Sequence, residues 1–544
     1  MRIFSKFFGA ALVAAVAVFL QACGGGGGGG GDAPQATVSI SGIASYDSVT
    51  NNTTNGGLNY AAISNKPMRG ITLQAVSGTK VLASATTSIT GAYTLAVPAN
   101  TSVSIQALAQ LSKTTGPATW NVNVIDNTDD NLWGIGFVSA TSGSSNSTRN
   151  INAPLGWNAA ANSYNQQRLS GPFAILDTIY TSMQLVTSVA PATQFPELSV
   201  FWSPLNNPSA NINLAVGDIG TSFFTQIENT ATNVVTARAL FILGKDGVDT
   251  DEFDGGVIAH EFGHYLQSAF SRNHSTGGLH GSVNGVSDKL DMTLAYGEGW
   301  GYAFASMARN NPQNPDSVGP KQASGSVIQT GTPPTAINSG WYTEDSVQYV
   351  IYKLFTTQGF APIWAAVSGP MTSQNGLNSI FSFAAAVRSA GNIAVTSELN
   401  KLLNGQNIFI GATADEYGTN ETNNGGNALN LPVHTTLTAT PAPVCFTDNT
   451  SDSANNKLGE RRYLRFNLPT AGIKTVTVAF NAADNHDIYL DFYQLGAEKN
   501  PRYTKLTNSE TYEGNFSAGE VVLRARDENI STATAANCIT IKVN

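Results

Sequence analysis

The stretch Asp254-Gly255-Gly256-Val257-Ile258-Ala259-His260-Glu261-Phe262-Gly263-His264-Tyr265-Leu266-Gln267-Ser268-Ala269 reads as one amphipathic helix. Ile258, Phe262, Tyr265, Leu266 and Ala269 recur at helical spacing and form an apolar stripe. His260 and His264 stand four residues apart, on one face and one turn from each other, so both imidazoles reach the same ion. Glu261 projects beside that ion, where its carboxylate takes a proton from water. The chain has 6 histidines. Two of them in one H-E-x-x-H pattern make a metal site a better explanation than coincidence on a packed helix. Asp249, Asp251, Glu252 and Asp254 crowd the N-terminal side of this helix. Carboxylates there cap free amides and favour the helix dipole. A structural Ca²⁺ loop is the alternative reading of the same acids.

A catalytic zinc needs a third protein ligand and an open position for water. The longer metzincin pattern is excluded, because Gln267 and Phe270 stand where it requires Gly and His. The downstream candidates are His274, His280, Asp288, Asp291 and Glu298. His280 offers a good donor but lies among Gly277, Gly278, Gly281 and Gly285, a stretch too flexible to pre-organise a ligand. Asp288 and Asp291 border the next helix and suit supporting roles. Glu298 lies in Tyr296-Gly297-Glu298-Gly299-Trp300-Gly301-Tyr302, at the expected start of a second helix that Trp300 and Phe304 pack into the core. A ligand on a rigid helix is held more tightly than one on a loop, so Glu298 is preferred.

H-E-x-x-H followed by G-E-G-W resembles the gluzincin metallopeptidases, most nearly the fungalysin-like ones, from Asp251 to Ala305. The loop Ser271-Arg272-Asn273-His274-Ser275-Thr276-Gly277-Gly278 is similar too. The resemblance implies a zinc endopeptidase with Zn²⁺ on His260, His264 and Glu298, and Glu261 as general base. It also implies an oxyanion donor just before a helix near residue 344, where Tyr342 is the best placed group; a packing aromatic is the equal alternative. Residues 239–243 resemble the edge strand along which an extended peptide substrate lies. One position departs from the family: Tyr302 stands where an Asp would support a ligand imidazole. Asp288, Asp291 and Glu344 are the substitutes.

Outside this core the hydrophobic period is two. Residues 36–112 alternate as in Val38-Ser39-Ile40-Ser41 and Tyr93-Thr94-Leu95-Ala96-Val97, the pattern of a small β-sandwich. Lys66-Pro67-Met68-Arg69-Gly70-Ile71-Thr72-Leu73 and Thr90-Gly91-Ala92-Tyr93-Thr94-Leu95 resemble the carboxypeptidase regulatory-like domain. Residues 113–432 mix helical and strand-like runs, the pattern of an α+β peptidase domain. Residues 433–544 alternate again, as in Thr475-Val476-Thr477-Val478-Ala479-Phe480, and look like the pre-peptidase C-terminal domain of secreted bacterial peptidases. The turn Asp484-Asn485-His486-Asp487 is either solvated or a second Ca²⁺ candidate. The expected architecture is multidomain: β-sandwich, α+β zincin-type catalytic domain, β-sandwich.

The N-terminus reads as an export signal. Arg2 and Lys6 precede the apolar run Phe7 to Leu20, and Leu20-Gln21-Ala22-Cys23 resembles a bacterial lipobox, giving a signal peptide over 1–22. Residues 23–35 are then a lipid-bearing Cys23 and a glycine tether. Gly24 after Cys23 leans toward outer-membrane sorting. The other cysteines, Cys445 and Cys538, are the default disulfide of an exported chain. A net charge of -9 offers no basic surface for nucleic acid. The expected partners are a protein or peptide substrate and, through Cys23, a membrane in the bacterial envelope; the pattern does not speak to oligomeric state. The rival reading is a surface adhesion lipoprotein with a degenerate peptidase core. It leaves the intact Glu261 unexplained, because a general base is useful only for chemistry.

Overall fold

The computed structural model describes residues 35–229, 234–283, 286–413, 415–447, 455–481, 486–530 and 537–544. The signal segment, Cys23 and the tether, and Asp484 and Asn485 of the acidic turn, lie outside them. The chain forms two compact units: the residues up to Ile258 with Pro315–Val327, and Ala259–Asn314 with Ile328–Asn544.

In the first unit the long strand Thr37–Asn51 pairs antiparallel with Leu58–Pro67 and Ala92–Pro98. A ten-stranded sheet runs in the order Phe223–Asn229, Val234–Ile242, Leu198–Trp202, Trp120–Asp126, Ser102–Lys113, Ile71–Ser77, Lys80–Thr86, with three short strands off this path. Leu198–Trp202 pairs parallel with both its neighbours. Every second residue of Ser102–Lys113 is buried: Val103, Ile105, Ala107, Ala109 and Leu111. Helix α1, Gly171–Val189, opens on Pro172 at its first turn and buries Phe173, Leu176, Ile179, Met183 and Val186 at helical spacing. Arg69 and Tyr46 fasten it by reaching Asp177 at 2.5 and 2.9 Å.

The second unit holds the end of helix α2, Gly255–Phe270, then α3, Met292–Arg309; α4, Glu344–Gln358; α5, Ala361–Val367; α6, Ile380–Ala390; and α7, Ile393–Gly405. Beyond them stand two five-stranded sheets. One runs His434–Thr436, Arg461–Leu468, Gly519–Asp527, Ile488–Gln494, Ala497–Lys499, and the other Ala442–Phe446, Asn537–Val543, Gly472–Ala479, Ser509–Phe516, Arg502–Leu506. Both contribute to one core: Leu464, Phe466, Phe492 and Leu523 from the first, Val476, Val478, Phe516 and Ile541 from the second. Cys445 lies opposite Cys538 in register and is disulfide-bonded to it. Among the described residues, no helix is long and apolar enough to cross a membrane.

The expected order of β-sandwich, α+β zincin-type catalytic domain and β-sandwich is overturned. The described residues are mostly β, 39% strand against 24% helix. The strand-like runs of the middle stretch do not build a separate α+β layer. Residues 120–126, 198–202 and 234–242 complete the sheet to which 71–77 and 102–113 already belong. Periodicity shows that a strand has an apolar face; it does not show which neighbour satisfies its amides and carbonyls.

Candidate metal centre

Helix α2 carries His260, Glu261 and His264, all buried. Helix α3 carries Glu298, also buried. It starts earlier than its sequence suggests. Asp291 is its N-cap, accepting from Thr293 N at 2.9 Å, so Glu298 lies in the second turn rather than at a helix start. Asp291 also accepts the Tyr463 hydroxyl at 2.7 Å, which ties the beginning of α3 to the strand Arg461–Leu468. Trp300 braces the same helix against α2 by donating to the Gly263 carbonyl at 2.9 Å.

Close packing explains the glycines around Glu298. A Cβ on Gly301 would sit 2.6 Å from His260 Cε1 and 2.8 Å from both ring nitrogens. A Cβ on Gly299 would lie 2.5 Å from Val347 Cβ on α4. Helix α3 therefore presses its bare backbone against an imidazole on one side and against α4 on the other.

The three donors converge. His260 Nε2 is 3.0 Å from His264 Nε2 and 3.1 Å from Glu298 Oε2, and His264 Nε2 is 3.4 Å from that same oxygen. Ligands around a tetrahedral zinc, with bonds of about 2.0–2.1 Å, stand about 3.3 Å apart. Two imidazole nitrogens and a carboxylate oxygen at these separations fit such an ion and leave its fourth position free. Glu261 is close enough to raise the pKa of His264.

The two imidazoles shift in opposite directions. Burial holds His260 down to about 4, against the opposing pull of Glu298. Burial also opposes charge on His264, but Glu298 outweighs it and pushes the imidazole up to about 9. Glu298 is held well below the usual carboxylate range; burial works against this, and His264, His260 and His280 together prevail.

His280, set aside on its sequence, is part of this cluster. Its Nε2 lies 3.5 Å from Glu298 Oε2, and its Nδ1 lies 2.9 Å from Glu344 Oε2. Its glycine-rich loop is pinned from far along the chain: Asn456 Nδ2 donates to Gly277 O and Leu279 O at 2.9 and 3.1 Å, and Lys457 Nζ to Leu279 O at 2.8 Å. No local pattern shows those partners. His280 is the most exposed of the three imidazoles, with 30% of its side chain open against 8% and 10%.

The other candidates are engaged elsewhere. Asp288 pairs with Lys457 at 3.0 Å, and Glu344 supports His280 rather than a ligand imidazole. Tyr302 lays its ring 4.3 Å from that of His260, whose Nδ1 is buried without a hydrogen-bond partner among the described residues. His274 is buried and accepts from Asn378 N at 3.0 Å. The Tyr342 hydroxyl donates to Asn423 Oδ1 at 3.0 Å. Residues 239–243 lie against Phe223–Asn229 on one side and Leu198–Trp202 on the other, so this segment is not a free edge.

No family model matches the chain, and no curated protein matches it. Among solved structures it is similar to the pre-peptidase C-terminal domain of a collagenase from Bacillus anthracis, at 10% identity over 20% of this chain and 94% of that one, TM-score 0.15. It is also similar to a 9R-lipoxygenase from Cyanothece, at 8% identity over 28% of this chain and 25% of that one, TM-score 0.12. Likenesses at these TM-scores carry no argument about fold or chemistry.

Proposed function

We propose that this protein is a zinc-dependent endopeptidase acting on extracytoplasmic proteins, with a ligand set like that of the gluzincins. The observation that carries the reading is the His260–His264–Glu298 triangle, whose edges of 3.0, 3.1 and 3.4 Å suit one tetrahedral ion. Zinc bound there would polarise a scissile carbonyl and make water acidic enough to attack it near neutral pH. Glu261 accepts the proton of the attacking water and passes it to the departing amine. His280, oriented by Glu344 and open on its outer side, donates to the oxygen that gains negative charge. This role falls to it rather than to Tyr342, whose hydroxyl is occupied by Asn423.

Glu261→Gln separates chemistry from metal binding. Zinc should stay at one per chain while casein hydrolysis falls ~10²–10⁴-fold, because proton transfer is lost and the ligands are not. A fully active variant would refute the general base.

Anchoring at the outer membrane through an acylated Cys23 belongs to the same proposal. The intact mass of the mature protein reads it directly: an unmodified Cys23, or retention of Cys23→Ser on membranes, argues against it.

A further inference from the structure

Strand Asp249–Thr250 pairs antiparallel with Gln313–Val318, with Asp249 opposite Val318. Continuing that register sets Asp251 opposite Asp316, and the period of two places Asp249, Asp251 and Asp316 on one face. One carboxylate oxygen from each lies within 4.8 Å of the other two. Like charges facing each other across a ladder are destabilising.

Nothing among the described residues neutralises them. Oδ1 of Asp249, Asp251 and Asp316 is buried with no hydrogen-bond partner in each case. Asp251 is only 3% exposed. Its Oδ2 accepts from Ser222 Oγ, which is itself held by Leu243 N at 2.9 Å, so Oδ1 is left to the cluster. An unpaired buried carboxylate oxygen is costly unless it meets a cation.

The neighbouring acids do not share this state. Asp254 accepts from Asn51 with one oxygen and from Ser317 N and Oγ, at 2.8 and 2.7 Å, with the other. Glu252 pairs with Arg168. The acids before α2 therefore divide into a satisfied pair, Glu252 and Asp254, and an unsatisfied pair, Asp249 and Asp251, which Asp316 joins from a later strand. Burial first, and then repulsion from the neighbouring carboxylates, raises Asp249 to about 7 and Asp251 well above its ordinary value.

We propose that Asp249, Asp251 and Asp316 bind a hard divalent cation, Ca²⁺, at a site separate in its residues from the histidine cluster. An all-carboxylate donor set suits Ca²⁺, Mg²⁺ or Mn²⁺ and not the softer ions that prefer imidazole or thiolate. Three converging carboxylates favour Ca²⁺, which takes six to eight oxygens in flexible geometry, over Mg²⁺, which keeps most of its water and uses one or two carboxylates. The ion would cross-link the hairpin ahead of α2 to a strand that follows α3 in the chain.

The test uses the purified protein stripped with EGTA, with zinc content measured in every sample. Ca²⁺ should bind by equilibrium dialysis and raise the melting temperature by ~3 °C or more, whereas Mg²⁺ should not match it. Asp316→Asn should weaken Ca²⁺ binding at least ~10-fold and abolish the shift. In EGTA it should melt no lower than the wild type, because a repelling charge is gone. Should Asp316→Asn fail to fold, the less buried Asp249→Asn carries the same expectation. Absence of a Ca²⁺ shift in the wild type, equal effects of Mg²⁺, or wild-type Ca²⁺ affinity in the variants would each overturn the site.

Discussion

Gly301→Ala isolates how closely the metal centre depends on helix packing. The added methyl would lie 2.6 Å from His260 Cε1, against the 3.4 Å at which ordinary contact begins. The ring must therefore move by about 0.8 Å, since the backbone of α3 is braced by Trp300 and cannot easily yield. The rings of Tyr302 and His264, centred 4.3 and 4.7 Å from that of His260, leave little room for the shift. Metal–ligand distances tolerate only about 0.2 Å, so zinc affinity should drop ~100-fold or more. Stability should change much less. Overpacking costs about 1–3 kcal/mol, while Ala replacing Gly inside a helix returns about 1 kcal/mol. The control is Gly297→Ala on the same helix, whose methyl would meet Ser275 Cβ at 3.3 Å and needs only a small adjustment. Zinc per chain after dialysis against a competing chelator, casein hydrolysis and thermal melting read the three effects. Loss of zinc in Gly301→Ala alone supports the geometry. If both variants keep zinc and activity, the imidazole does not rest on α3 and the reasoning fails.

The same geometry separates a ligand from its neighbour. Glu298→Ala should abolish stoichiometric zinc, whereas His280→Ala should keep the metal and lower turnover ~10²-fold with little change in KM; zinc loss in the second variant alone would exchange the two roles. Non-reducing peptide maps should recover Cys445 joined to Cys538. Because the bond spans 93 residues, its reduction should remove at most roughly 4–5 kcal/mol and lower the melting temperature more than the activity of the folded protein. An unchanged melting curve would remove the bond's structural role.

What the sequence determined by itself is what local geometry determines. Residues four apart on a helix share a face whatever surrounds them, so His260 and His264 are legible as a pair, and the packing side chains Trp300 and Phe304 mark the helix that carries Glu298. What only the tertiary structure decided depends on residues far apart in the chain. The loop of His280 looks flexible until Asn456 and Lys457 pin it. Asp249 and Asp251 read as helix-capping acids until Asp316 arrives from a later strand and leaves all three with unpaired oxygens. The strands of the middle stretch show their apolar faces but not their neighbours, and so they join a sheet begun much earlier instead of an α+β domain of their own. A helix satisfies its backbone within itself, so its sequence states its geometry. A strand or a buried charge is satisfied by something elsewhere in the chain, and only folding shows what that partner is.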